Sequence, residues 1–316
     1  MPTLTFQGQT FNSEPGETVL DCLLRYRQAI PHGCLAGVCQ SCRLRSKDAP
    51  PGALHHAQQG LSEQQRSDGE FLACQLPATL ALDLDRPQQQ RWQTATVKHN
   101  APLSESVWRL ELNTRLRWQP GQYFSVSLNG VDARCYSATQ SARHGPLVFH
   151  IQRYPSGMLS EALCQLTTND TLQLQGPLGG FRLHDEDSPR RQLFIGSGTG
   201  IAPLLAMARE AVDRGTSEEI RVIRCARDQQ PFYDSPELSA LADSGVTIEQ
   251  ARWGQSDELD TRLRALAPLR GDQIYLSGSA GFVEQFEKRC FLSGAARLNI
   301  HKETFLDFGA ATHRQP

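Results

Sequence analysis

Three cysteines fall within nine residues, Cys34-Leu-Ala-Gly-Val-Cys39-Gln-Ser-Cys42, and a fourth follows in Phe71-Leu-Ala-Cys74-Gln. Two irons bridged by two sulfides need four thiolates converging from outside, and C-x4-C-x2-C with a distant fourth cysteine is a spacing that supplies them. So short a loop can give three ligands only if its backbone wraps closely round the metals. Gly37, lacking a Cβ, permits that wrap. Zinc is the competing chemistry, because four cysteines also make a structural zinc site. Such sites usually carry two separate C-x2-C pairs, and this chain has one. A centre with two histidine ligands would replace two of the cysteines; His32 is near, but four thiols already complete the set. His32, His55 and His56 read as loop or surface residues.

The pattern resembles the plant-type [2Fe-2S] ferredoxins over roughly residues 1–85. The elements round it suit that resemblance. Residues 2–6 and 9–13 read as strands joined at Gln7-Gly8-Gln9. Thr18 can cap a helix whose apolar face is Val19, Leu20, Leu23 and Leu24, up to about Arg27. A short helix is expected near Ser62–Arg66, and Leu80–Leu84 alternates like a half-buried strand. Two strands, a helix and returning strands fit a β-grasp. The polar run Arg86–Arg91 reads as a linker.

From Gln93 to about Leu183 short alternating segments recur: 94–98, 107–112, 123–128, 146–152 and 171–175, divided by Gly and Pro turns. Three motifs lie here. Arg134-Cys-Tyr136-Ser137 follows Pro120-Gly-Gln-Tyr123. Phe149-His150-Ile151-Gln-Arg153 precedes Gly157-Met158-Leu159-Ser160. Gly176-Pro-Leu-Gly-Gly-Phe181 comes last. In this order they resemble the FAD-binding barrel of the ferredoxin–NADP reductase superfamily, where R-x-Y-S is the central flavin motif. The resemblance implies that Arg134 pairs with the flavin pyrophosphate, a role a guanidinium suits. It implies that Tyr136 lies against the isoalloxazine ring, that Ser137 hydrogen-bonds at the N5 edge, and that backbone at His150 and Ile151 lines the site. Gly157, Met158, Leu159 and Ser160 would open a helix, 159–166, onto the pyrophosphate.

From Arg190 the pattern turns α/β. Strand Gln192–Ile195, the turn Gly196-Ser-Gly198-Thr199-Gly200-Ile-Ala-Pro203, helix Leu204–Asp213 and strand Glu219–Cys225 form a βαβ unit. Its glycines let backbone approach a diphosphate at the helix start. Gly-Thr-Gly-Ile-Ala-Pro resembles the nicotinamide motif of the same superfamily. Strand Gln273–Leu276 ends in Ser277-Gly278-Ser-Ala-Gly281, where relatives usually have Cys-Gly-Pro, so Ser277 stands in place of the cysteine. Asn299–Phe305 resembles the family's C-terminal edge strand. Glu303 and Phe305 there are candidates for the border between flavin and nicotinamide, a surface strand end being the plainer role. Beyond the second strand only Arg227 could bind a 2′-phosphate, and Asp228 and Asp234 would repel it, so NADH is expected, with NADPH as the alternative. Tyr233 reads either as a cover for the adenosine or as a core residue.

At 316 residues the chain has room for two or three domains. A net charge of −2 makes no case for nucleic acid or an anionic membrane. No apolar run of about eighteen residues suggests a membrane span. Nine cysteines without a signal peptide point to a reducing, cytoplasmic setting. The expected class is α+β multidomain: a β-grasp ferredoxin (1–88), a six-stranded antiparallel FAD barrel (89–188) and an α/β parallel-sheet nucleotide-binding domain (189–316). The whole resembles the single-chain reductases of bacterial multicomponent oxygenases. That implies a monomer carrying electrons from NADH through FAD and [2Fe-2S] to a terminal oxygenase or other iron-containing acceptor protein, with Cys34, Cys39, Cys42 and Cys74 as metal ligands. Reductases of deoxysugar dehydratases share the order, and a redox-sensing module is the reading from another class.

Overall fold

The computed structural model describes residues 2–32, 35, 37, 38, 40–87, 92–155, 157–184, 191–215, 219–227, 232–253 and 270–305. The chain forms two compact units: residues 1–95 with 124–135 and 171–178, and residues 96–123 with 136–170 and 179–316. Cys34, Cys39, Asp228 and linker residues 88–91 lie outside the described residues.

The N-terminal strands are β1 (Thr3–Phe6), β2 (Gln9–Asn12), β3 (Arg43–Ser46), β4 (Glu70–Leu72) and β5 (Leu82–Asp85), in the order β2-β1-β5-β3-β4. Strand β5 runs parallel to β1 and the other pairs are antiparallel, which is a β-grasp sheet. Helix α1 (Val19–Arg25) starts in a capping box: Thr18 accepts from the Asp21 N–H while the Asp21 carboxylate accepts from the Thr18 N–H. It ends before the expected Arg27, which takes a φ of 57° that no helix tolerates. Its Val19, Leu20 and Leu23 join Leu4, Phe6, Phe71, Leu82 and Leu84 in one core. The short helix α2 is Glu63–Ser67.

Six further strands follow: β6 (Gln93–Pro102), β7 (Val107–Asn113), β8 (Tyr123–Ser127), β9 (Ala133–Ser137), β10 (Leu147–Gln152) and β11 (Thr171–Leu178). Their order is β10-β7-β6-β11-β8-β9. An antiparallel bridge between Ala138 and Phe149, with Thr139 N–H donating to Val148 O at 3.0 Å, closes the two edges on each other. Helix α3 (Met158–Gln165) follows β10.

The last sheet is wholly parallel: β12 (Arg191–Ser197), β13 (Glu219–Arg227), β14 (Thr247–Trp253), β15 (Gln273–Ser279) and β16 (Ile300–Phe305), ordered β14-β13-β12-β15-β16. Helices α4 (Ile201–Arg214) and α5 (Ser235–Asp243) pack on one face through Leu204, Met207, Leu238 and Leu241. Helix α6 (Ala280–Leu292) covers the other with Phe282 and Phe286. Helix α4 begins three residues earlier than expected. Pro203 sits in its first turn, where the missing N–H would have had no partner anyway. The chain steps outward from β12 in both directions, so the strand order reverses between β12 and β15. Crevices at such reversals, at the carboxyl ends of the strands, hold ligands in open α/β sheets.

Gly121 marks a close approach. Its φ is +87°, and a Cβ there would collide with the Phe181 carbonyl and lie 3.1 Å from Met207 Sδ. Gly245 has a φ of +90° but open space round it. Gly121→Ala should therefore destabilise by more than Gly245→Ala, and by more than about 1 kcal/mol. Urea unfolding midpoints test this; equal losses would contradict the close approach.

Candidate functional site

Cys42 lies just before β3 and Cys74 just after the adjoining β4, and the register Arg43↔Leu72 holds both thiols at one end of that hairpin. Both are buried, and the Ala73 N–H donates to Cys42 O at 3.1 Å. In the loop between α1 and β3, Leu35, Gly37 and Gln40 have left-handed φ values of 52°, 78° and 54°, so the backbone turns tightly. Gln75 Nε2 donates to Leu35 O at 3.1 Å and to Cys74 Sγ at 3.3 Å. A Cβ on Gly37 would sit 3.1 Å from Gln75 Cγ. Buried thiols with an N–H aimed at a sulfur suit the soft, anionic ligand set of an iron–sulfur cluster. His32 turns its Nδ1 to Ile30 O at 2.9 Å, and His55 and His56 are exposed. Leu35, Gln40 and Arg43, which the sequence suggests as an exposed rim of this loop, do not all lie at the surface. Leu35 and Val38 are exposed at 52% and 42%, whereas Gln40 is buried and donates to Gly60 O at 2.9 Å. Arg43 is buried in an ion pair with Glu70 at 2.9 Å. Burial lowers the Arg43 pKa and raises that of Glu70, each partly offset by the partner's charge.

Arg134, Tyr136 and Ser137 all lie on β9. Arg134 Nη1 donates to Ala133 O at 2.7 Å, and the Tyr136 ring centroid is 5.9 Å from that of Phe149 on β10. Ser137 Oγ donates to Glu303 Oε2 on β16 at 3.3 Å. Beside Phe149, the His150 ring is fully buried, and neither nitrogen has a hydrogen-bond partner among the described residues. Its Nε2 is 3.9 Å from Glu237 Oε1, and its edge meets the Tyr233 ring at 5.3 Å. Burial, helped by Arg109 and Arg224, lowers its pKa to about 3, so the ring is neutral. Ile151 is buried. Helix α3 opens at Gly157 with no side-chain cap. The N–H groups of Met158, Leu159 and Ser160 therefore face outward without helical partners, as a cradle for a pyrophosphate requires. A Cβ on Gly157 would lie 2.6 Å from Ser160 Oγ and 3.1 Å from Tyr154 O, so the chain is close-packed at this helix start. Asn100 closes the helix's other end, donating from Nδ2 to the Leu163, Cys164 and Leu166 carbonyls.

At the reversal between β12 and β15, Gly198-Thr199-Gly200 forms a tight 3-10 turn. A Cβ on Gly200 would lie 2.6 Å from Ser277 O and 2.7 Å from Gly278 N; only glycine lets the two turns meet. The Ser277 hydroxyl is fully buried and has no hydrogen-bond partner among the described residues. A buried orphan hydroxyl in such a crevice calls for a ligand. Ser277, Gly278 and Ser279 are register partners of Glu303, Thr304 and the half-buried Phe305. Ser137, Ser277 and Glu303 thus converge, and burial raises the Glu303 carboxyl to about 8 against the lowering effect of the Ser137 hydroxyl. Pro203 is buried in α4, and Arg227 is exposed at the end of β13. Tyr233 is buried, its hydroxyl donating to Gly198 O at 3.4 Å. Asp234 overturns one expectation. It is fully buried and accepts from Arg224 Nε at 2.6 Å, so its charge is neutralised inside and repels no phosphate.

Sequence comparison gives three matches along the chain: a 2Fe-2S iron-sulfur cluster binding domain over residues 3–79, an oxidoreductase FAD-binding domain over 94–183 and an oxidoreductase NAD-binding domain over 194–288. The reductase subunit of an aromatic O-demethylase from an Amycolatopsis species is 31% identical, over 94% of this chain and 96% of that one. The chain belongs to the ferredoxin–NAD(P) reductase superfamily, in the branch with an N-terminal [2Fe-2S] domain. It is an oxidoreductase of the iron–sulfur flavoprotein kind, and FAD, NAD(P) and a [2Fe-2S] cluster are its cofactors. The toluate 1,2-dioxygenase electron transfer component of Pseudomonas putida is 28% identical, over 93% of this chain and 94% of its own. A solved cytochrome P450 reductase from Amycolatopsis matches at 25% identity with a TM-score of 0.65, over 96% of this chain and 99% of its own. A ferredoxin reductase in carbazole 1,9a-dioxygenase, at 22% identity, shares the fold with a TM-score of 0.63, over 96% of this chain and 98% of its own.

Sequence reasoning passed over Gln75 in this reductase, although its place beside Cys74 was the available signal. A donor to a cluster sulfur favours the more negative, reduced state. Gln75→Leu should lower the cluster's midpoint potential by on the order of 20–50 mV, where 59 mV is tenfold for one electron. Redox titration followed by EPR reads it, and an unchanged potential with the cluster retained would refute the bond.

Glu303 sets a pH dependence of stability. Its folded pKa of about 8 exceeds the ordinary 4.5, so the stability it contributes is complete below 4.5 and is lost as pH rises through 8. Glu303→Gln should flatten that decline. Melting temperatures of the two proteins from pH 5 to 9 check this, and parallel curves would count against a half-buried, protonated carboxyl.

Proposed function

We propose that this chain accepts hydride from NADH and delivers electrons singly to the terminal metal centre of an oxygenase partner. When bound, FAD supplies the change from two electrons to one, and the [2Fe-2S] cluster gives a one-electron exit. The Ser137–Glu303 hydrogen bond carries this reading, because it ties the flavin strand to the edge strand beside the nucleotide turn. Arg134 would neutralise the flavin pyrophosphate beside the N–H groups of Met158, Leu159 and Ser160. Tyr136 would shield one face of the flavin ring from water, with backbone at His150 and Ile151 lining its edge. Ser137 and Glu303 would hold a proton at the reacting edge. Gly198, Thr199, Gly200 and Gly278 would admit the nicotinamide dinucleotide, with Ser277 Oγ as a donor to it. Cys34, Cys39, Cys42 and Cys74 would hold the cluster, and the apolar rim at Leu35 and Val38 would meet the acceptor. Among the described residues no helix is long and apolar enough to cross a membrane, and the reading takes the chain as a cytoplasmic monomer.

A second reading concerns the nucleotide. With Asp234 paired to Arg224 inside the core, the repulsion of a 2′-phosphate that the sequence suggested for it falls away, which favours acceptance of NADPH as well. Anaerobic titration with each nucleotide, followed by visible absorbance and low-temperature EPR, tests both. NADH should bleach the flavin band and then raise a reduced [2Fe-2S] signal. Equal reduction by NADPH would give the second reading the decision. A flavin that reduces while the cluster stays oxidised would end the electron-transfer reading.

A further inference from the structure

Helix α3 is eight residues long, and little of it is packed. Ser160 and Leu163 are its buried residues, while Met158 is 84% exposed. A helix this short does not persist in water alone, so its place depends on what ties its ends. Its start is tied locally. The Gly157 N–H donates to Tyr154 O at 2.9 Å, and Ser160 Oγ donates to Gly157 O at 3.1 Å. Its far end is tied by another strand of the same compact unit. Asn100 Nδ2, on β6, donates to the carbonyls of Leu163 at 2.9 Å, Cys164 at 3.2 Å and Leu166 at 2.9 Å. The last carbonyls of a helix lack partners within it, and one amide serves three here.

Asn100 reaches α3 because β6 bulges. Val97 pairs with Leu112 on β7, His99 with Glu111 and Asn100 with Leu110, so the register passes over Lys98. Leu110 and Leu112 are two positions apart and both fully buried, which sets them on one face. Their partners Val97 and Asn100 share that face although three positions separate them. Strict alternation would have put them on opposite faces; the bulge re-aims Asn100. Its Oδ1 is buried and has no hydrogen-bond partner among the described residues. The side chain therefore acts through its donor half, and an amide turned over would set oxygen against three carbonyls.

We propose that Asn100 is the positioning residue of the pyrophosphate cradle: it holds the C-terminal end of α3 and so fixes the direction of the N–H groups at its start. The proposal rests on the reading of Met158, Leu159 and Ser160 as that cradle. Eight residues make a rod of about 12 Å. A rod released at one end tilts at the other, and the cradle then loses its aim. Asn100 acts through α3 alone.

Asn100→Asp keeps the shape of the side chain and removes its donor; Asn100→Ala removes both. The full chain is depleted of flavin and FAD is added back while NADH–ferricyanide turnover is followed. The apparent KM for FAD should rise about tenfold or more in both variants, the order set by a buried hydrogen bond, with kcat at saturating FAD unchanged. Riboflavin, which has no pyrophosphate, should bind wild type and variants with one Kd, read by quenching of its fluorescence. An unchanged KM for FAD in Asn100→Asp, with wild type still binding FAD more tightly than riboflavin, would overturn the role of Asn100. Equal losses for FAD and riboflavin would overturn it too, because they mark a general loosening. Wild-type protein that binds riboflavin as tightly as FAD would sink the cradle reading itself, and the proposal with it. Should both variants fail to fold, hydrogen exchange of the wild-type amides at 162–165 decides. Protection that persists in the flavin-depleted chain upholds the anchor, and exchange at the rate of a free loop removes it.

Discussion

Hydride moves only between atoms held about 3–3.5 Å apart, and on the proposed function the C-terminal two-thirds of this chain must meet that limit. The Ser137–Glu303 hydrogen bond is where the constraint would act. It can exist only if β9 ends opposite the end of β16, which in turn requires the parallel register that sets Glu303 beside Ser277. That register brings the 277–278 turn onto Gly200, at a distance no Cβ would allow. One polar contact between strand ends therefore depends on two glycines, five parallel strands and a closed barrel edge.

The interior beside this contact is unusually polar. Arg224 and Asp234 are fully buried as a pair, and the Arg224 guanidinium lies 5.2 Å over the Tyr233 ring. Burying such a pair seldom stabilises a fold outright, but breaking it is costly. The same pair keeps Tyr233 beneath the glycine turn, where its hydroxyl reaches Gly198 O. His150 completes the layer as a neutral ring, because burial and two nearby arginines both oppose its charge. Packing here supports the Gly198–Gly200 turn from below, and Arg227 lies exposed at the end of β13.

Much of this was legible in the residues. Thr18 and Asp21 announce the first helix, Gly198-Thr-Gly200 announces the turn after β12, and R-x-Y-S falls on one strand as alternation requires. These signals are local, set by spacing along a few residues. What could not be read is the direction of side chains after folding. Asp234 and Arg43 look like surface charges in sequence, and only their partners Arg224 and Glu70, ten and twenty-seven positions away, show that both are buried. Tyr233 was ambiguous for the same reason. Helix α5 and strand β14 escaped notice because both mix polar and apolar residues, their places being set by packing on β13 and α4.

Single electrons tolerate a gap that hydride cannot, so on the proposed function the two ends of the chain would meet different demands. At the nucleotide crevice, glycines and register bring backbone into contact. At the cluster loop the backbone turns through left-handed residues at Leu35, Gly37 and Gln40. The rim that remains exposed there, Leu35 and Val38, is apolar, and the net charge of −2 supplies little long-range steering. Were an acceptor to meet that rim, its selection would come from short-range shape and burial, which a partner can match without the opposed charged patches that salt would screen.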